Sequence, residues 1–176
     1  MASSTIGPFP ISGTPVDEVV RELDAKRDND VRWAEGRTFG LVFDGGDEVR
    51  DVAERAARLF LHENALNTSA FPSLGEIQSE LCGWTADLLH GPPETAGFLT
   101  SGGTESILCA VEAARERARA ERSVAEPEIV LAESAHAAFH KGAHLFGLQT
   151  RVVPVTDAWT VDLDAMADAV GPNTAL

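Results

Sequence analysis

The chain has 176 residues, 44% of them hydrophobic and 24% charged, which suits a globular protein able to bury a sizeable core. Its 14 basic residues stand against 28 acidic ones. The net charge of −14 argues against a nucleic-acid or anionic-membrane surface and requires local donors to catch any anion.

Met1 to Thr14 is rich in Ser, Gly and Pro and lacks both a charged n-region and a long apolar run, so it reads as an arm and not a signal peptide. No window approaches ~18 apolar residues, so no membrane span is expected. Asp17 to about Trp33 has helical spacing through Val16, Val19, Val20 and Leu23. Gly36 to Gly46 breaks it. Asp47 to about His62 is a second helix, with Val49, Val52, Ala53, Ala56, Leu59 and Phe60 expected inward. Gly75 to about Leu89 is a third, using Ile77, Leu81, Trp84 and Leu88. Cys82 in that helix and Cys109 further on are too few for a disulfide framework and point to a reducing, cytoplasmic setting.

After Gly91-Pro-Pro the pattern becomes alternating α/β. Ala96–Thr100 reads as a strand, followed by a long helix from Thr104 to about Arg122 with Ile107, Leu108, Val111, Ala114 and Ala118 on one face. Glu128–Ala132 is a strand, about Ala135–Phe146 a helix, Gln149–Val155 a strand and Leu163–Val170 a short helix. Thr174–Leu176 opens a further strand. Such alternation implies a mostly parallel sheet flanked by helices, with ligands at the carboxyl ends of the strands.

Two sequence-distant stretches fall at such ends. Ser101-Gly-Gly-Thr104 is a glycine turn opening a helix, where unpaired N–H groups and the positive end of the dipole suit a phosphate. Ser101 and Thr104 add hydroxyls. Ser134-Ala-His136 follows the next strand, and a flat imidazole there could stack on a planar ring. His136, His140 and His144 are spaced by four, but three ligands on successive turns span about 12 Å, too far for one metal ion. His62-Glu63 is followed by Leu66 where a zinc-protease helix has its second histidine. The glycine spacing from Gly97 is that of a P-loop, yet Gly103 stands where the phosphate-reaching lysine belongs. A nucleophile elbow at Ser101 fails because Leu99 occupies a required glycine position.

Thr100-Ser-Gly-Gly-Thr-Glu-Ser106 followed by Glu133-Ser-Ala-His-Ala-Ala-Phe139 resembles the cofactor cradle of the pyridoxal-phosphate (PLP) group II decarboxylases and carbon–carbon lyases. The likeness is greatest to their sphingosine-1-phosphate lyase branch and runs from about Asn64 to Leu176. It implies a fold-type-I architecture. Residues 1–92 would form an arm and helical segment, and residues 93–176 the first, truncated part of the PLP-binding large domain. It implies Gly103 and Thr104 on the cofactor phosphate, Ser101 as a further polar contact, and His136 on the ring face in a catalytic role. A small amine or amino-acid substrate and a homodimeric full-length form also follow from it.

Asn67 stands where eukaryotic lyases carry a histidine in an otherwise similar stretch, a departure that bears on substrate choice. The resemblance further implies that the Schiff-base lysine and the acid at the pyridine nitrogen follow the segment seen here. Lys26 and Lys141, the two lysines present, lack the surrounding motif. The chain is therefore expected to be the N-terminal part of a longer protein or an incomplete gene product, without turnover by itself and with apolar helix faces exposed.

Overall fold

The computed structural model describes residues 9, 11–36 and 38–176, which belong to two compact units, residues 1–64 and 65–176. The arm expected over Met1–Thr14 lies mostly outside the described residues.

In the first unit, α1 (Val16–Ala25) starts behind Pro15, whose carbonyl accepts the N–H groups of Glu18 and Val19 at 3.0 and 3.1 Å. The helix ends well before Trp33. Arg27-Asp-Asn-Asp30 explains this, because short acidic and amide side chains draw backbone groups out of helical pairing. A single 3₁₀ turn, Trp33–Glu35, follows, and then α2 (Asp47–Leu59). Arg50 links them, its guanidinium 5.2 Å from the Trp33 ring centroid and 2.7 Å from the Asp47 carboxylate. Neither helix has a buried residue. Val49 and Val52, expected to face inward, are 56% and 65% exposed. An apolar stripe is buried only by a facing stripe, and α1 and α2 do not pack along each other.

The second unit opens with a turn held by Asn67, whose Oδ1 accepts the N–H of Ser69 at 3.0 Å and whose carbonyl accepts that of Phe71 at 3.2 Å. Pro72 sits at the first turn of α3 (Pro72–Leu88), where its missing N–H costs nothing, so the helix starts earlier than the apolar spacing predicts. Its apolar side, Ile77, Leu81, Trp84 and Leu88, is also exposed.

The strand expected over Ala96–Thr100 does not form. A strand exists only as a partner, and no described segment pairs with it; the Leu99 N–H goes instead to Gln78 Oε1 at 3.3 Å. Then come α4 (Gly103–Arg122), β1 (Glu128–Ala132), α5 (Ala137–Phe146), β2 (Gln149–Val153) and α6 (Leu163–Ala169). β1 and β2 are parallel, with Glu128 opposite Gln149 and Ala132 opposite Val153. Thr174–Leu176 adds to the other side of β1 through a parallel bridge from Glu128 to Thr174, and the N–H of Val130 reaches the carbonyl of Leu176 at 3.0 Å. The predicted opening of a strand is thus present. Arg122 fastens this end, donating to the carbonyls of Pro172 and Thr174 at 3.3 and 2.7 Å.

The core lies between the strands and the two helices over them. Ile129 and Leu131 of β1 meet Val111 of α4, Ala143 of α5 and Leu148, with Ile107, Ala135, Phe139 and Phe146 around them. Gly147 turns α5 into β2 at φ 70°, which lets Leu148 donate back to Ala143 at 2.9 Å and enter the core.

Candidate functional site

Two contacts fix how α4 and α5 lie together. A Cβ on Gly142 would stand 3.2 Å from the Cβ of Val111, so the backbones approach closely there. One turn further along both helices, Arg115 Nη1 donates to the Phe146 carbonyl at 2.9 Å, with its Cζ 5.3 Å from the Phe146 ring centroid. Both contacts join residues 31 apart, so the helices run parallel. Carried back to the first residue of α5, the same offset sets Ser106 level with Ala137, so the opening turn of α4 and the His136 cap both lie at that end. The two sequence-predicted stretches therefore open at the same end of the layer.

At the start of α4 the side chains bond to one another and leave the leading amides free. Thr100 Oγ1 donates to the Gly102 carbonyl at 3.0 Å and lies 2.6 Å from Ser106 Oγ. Ser101 donates its N–H to Glu105 Oε2 at 2.6 Å. The Ser101 hydroxyl, and after it this N–H, hold the Glu105 carboxyl below its ordinary value. The first N–H of the helix to find a backbone acceptor is that of Ser106, on the Gly102 carbonyl at 3.1 Å. Among the described residues those of Gly103, Thr104 and Glu105 find none, nor does the Thr104 hydroxyl. Residues 101–106 are all exposed, and Thr100 is half-buried. A Cβ at Gly103 would meet nothing within 4 Å, so packing within the chain does not require a glycine there; the open space lies beside the unpaired amides.

At the start of α5, His136 is the N-cap. Its Nδ1 accepts the Ala138 N–H at 3.1 Å, which assigns the ring proton of the neutral imidazole to Nε2 and turns the ring onto its own helix. The loop before it is braced. Glu133 donates its N–H to Val153 at 2.9 Å, and its Oε1 accepts the Val155 N–H at 3.0 Å. Lys141 is exposed on α5, beyond His136.

Sequence reasoning passed over Glu105. The signal was present: a glutamate at the third position of a helix, reaching back to a residue before its start, follows the logic of a capping box. Nor could it foresee that Ser101 would have its donors engaged. Among the described residues no three His, Cys, Asp or Glu side chains converge as metal ligands, and no helix is long and apolar enough to cross a membrane.

This arrangement matches known folds. Glutamate decarboxylase of Lactobacillus brevis superposes on 97% of the chain and 40% of its own length, with a TM-score of 0.70 at 21% identity. The fold is that of the PLP-dependent decarboxylases and lyases.

Within that class the likeness sharpens. A Burkholderia pseudomallei sphingosine-1-phosphate lyase reaches a TM-score of 0.86 at 38% identity, over 98% of this chain and 42% of that one. Sphingosine-1-phosphate lyase 1 of Rattus norvegicus is 39% identical over 168 residues, 96% of this chain and 29% of the relative. No family model matches. Over nearly its whole length the chain is a homologue of the sphingosine-1-phosphate lyases, of which it spans less than a third in the rat protein.

Proposed function

We propose that this chain forms the phosphate-holding part of a PLP-dependent carbon–carbon lyase. The reaction would cleave a phosphorylated amino alcohol to an aldehyde and phosphoethanolamine, as the homology suggests. The observation that carries the reading is the set of unpaired donors at the start of α4, the N–H groups of Gly103, Thr104 and Glu105 with the Thr104 hydroxyl, opening at the same end as His136.

When bound, PLP supplies the electron sink for the pair left as a bond at the substrate's α-carbon breaks. The chain's own part is to hold and orient. Gly103 and Thr104 grip the phosphate with amides aligned along the dipole, which matters because a net charge of −14 repels an anion at long range. His136 sets its ring against the cofactor, steadied by its bond to Ala138. Residues 93–176 then serve as the first part of the cofactor-binding domain, in a cytoplasmic, homodimeric full-length protein. The exposed apolar sides of α1, α2 and α3 suit burial in such an assembly. Neither Lys26 nor Lys141 supplies a Schiff base, so this 176-residue chain turns over no substrate by itself.

Equilibrium dialysis of the chain against PLP tests the reading. Thr104→Ala and His136→Ala should each weaken retention about tenfold, and pyridoxal, which lacks the phosphate, should be insensitive to Thr104→Ala. Retention unchanged by both substitutions leaves a non-catalytic α/β module. An amino-acid decarboxylase is the second reading, favoured by the fold shared with the Lactobacillus enzyme. Assay of the full-length protein with an amino acid against a phosphorylated amino alcohol separates the two.

A further inference from the structure

The bond between Glu105 and Ser101 offers no donor to a phosphate, and it suggests what shapes the turn. Gly102 and Gly103 are the residues with the most freedom to lose on ordering, and an exposed glycine turn would not by itself keep three amides aimed at one point. Two side-chain bridges span that pair: Glu105 to Ser101 at 2.6 Å, and Thr100 to Ser106 at 2.6 Å. The first also withdraws Ser101 from the donors left for a ligand.

We infer that Glu105 is a positioning residue for phosphate, which fixes the glycine turn by occupying Ser101 and confines anion recognition to Gly103, Thr104 and its own N–H. This rests on the reading of the α4 start as a phosphate cradle. It assigns Ser101 a different part from the direct contact implied by the resemblance: Ser101 acts through Glu105. The carboxylate brings a negative charge near the anion, but it is fully exposed and is met by the Ser101 hydroxyl and N–H, so water and these donors screen it. What it contributes is the bond, which an amide oxygen can also accept. The lowered carboxyl pKa agrees with a bond that forms to the charged side chain.

The test is amide NMR of the 176-residue chain titrated with inorganic phosphate. In the wild type the resonances of Gly103, Thr104 and Glu105 should shift with phosphate while that of Ser101 stays. Glu105→Ala should weaken the phosphate response about tenfold, and Glu105→Gln should keep it within about twofold, since Gln still accepts the Ser101 N–H. The core resonances of Val111 and Gly142 should be unchanged in both, separating this role from a general loss of structure. A Ser101 amide that moves with the others overturns the inference. So does a Glu105→Ala chain that binds phosphate like the wild type, or a Glu105→Gln chain as weak as Glu105→Ala. A wild type in which Gly103, Thr104 and Glu105 all stay still overturns the cradle itself, and the role of Glu105 falls with it.

Discussion

Helices α1 and α2 and helices α4 and α5 carry apolar stripes of the same period, yet only the second pair has anything laid over them. Val111 and Ala118 of α4 and Ala138 and Ala143 of α5 are buried, while Val19 and Leu23 of α1 and Val49 and Val52 of α2 remain in water. The difference is not in propensity or amphipathicity. It lies in what faces the stripes: α4 and α5 pack on each other and cover Ile129 and Leu131 of β1, whereas α1 and α2 do not pack along each other. A stripe states that a face seeks burial and says nothing of what buries it.

The largest effect should therefore come from the sheet. Ile129→Ala, at a fully buried position, should cost about 3–4 kcal/mol in chemical denaturation, while Leu23→Ala on the exposed face of α1 should stay within about 0.5 kcal/mol. Comparable losses at the two sites would break the contrast and show that α1 is covered in solution.

Arg115→Ala comes next. It removes the donor to the Phe146 carbonyl and the ring contact from a side chain only 16% exposed, and about 1–2 kcal/mol should be lost in the same denaturation measurement. Gly142→Ala sets two terms in opposition. Alanine improves a helix by about 1 kcal/mol, but its Cβ would lie 3.2–3.3 Å from three atoms of Val111. Valine in a helix has essentially one χ1 rotamer and cannot swing away. Overpacking of about 1–3 kcal/mol should win, with a net loss near 1 kcal/mol by denaturation.

The smallest effect is at Glu105. Its carboxyl is lowered from the ordinary 4.5 by the Ser101 hydroxyl and N–H. A depressed folded value means that the bridge contributes in full above the ordinary range and is lost as pH falls through the lowered value. The Ser101 amide shift should accordingly titrate with a midpoint below 4.5, and a midpoint at or above that value would remove the bridge.

Much of this was legible beforehand where pattern and partner were both local. The glycine turn before α4, strand β1 and helices α5 and α6 lie close to where periodicity sets them. What failed needed something non-local. Ala96–Thr100 has the apolar residues of a strand and no neighbour to bond with, so Leu99 turns to Gln78. The inward faces of α1 and α2 were readable as faces but not as interior. At the site, Gly103, Thr104 and His136 stood out by residue type, whereas Glu105 is marked only by its capping-box position, which does not say that its carboxylate would take the Ser101 N–H.

The parallel pairing of α4 and α5 has a consequence for the tolerance of the chain to length change. Both helices are pinned well past their first turns, by Val111 against Gly142 and by Arg115 on Phe146. Removing one residue between Thr104 and Val111 would leave those anchors in place. It would also swing the glycine turn about 100° around the helix axis and draw it in by about 1.5 Å. Substitution in this first stretch of α4 changes chemistry at one point, but a deletion there re-aims the entire cluster of amides away from His136.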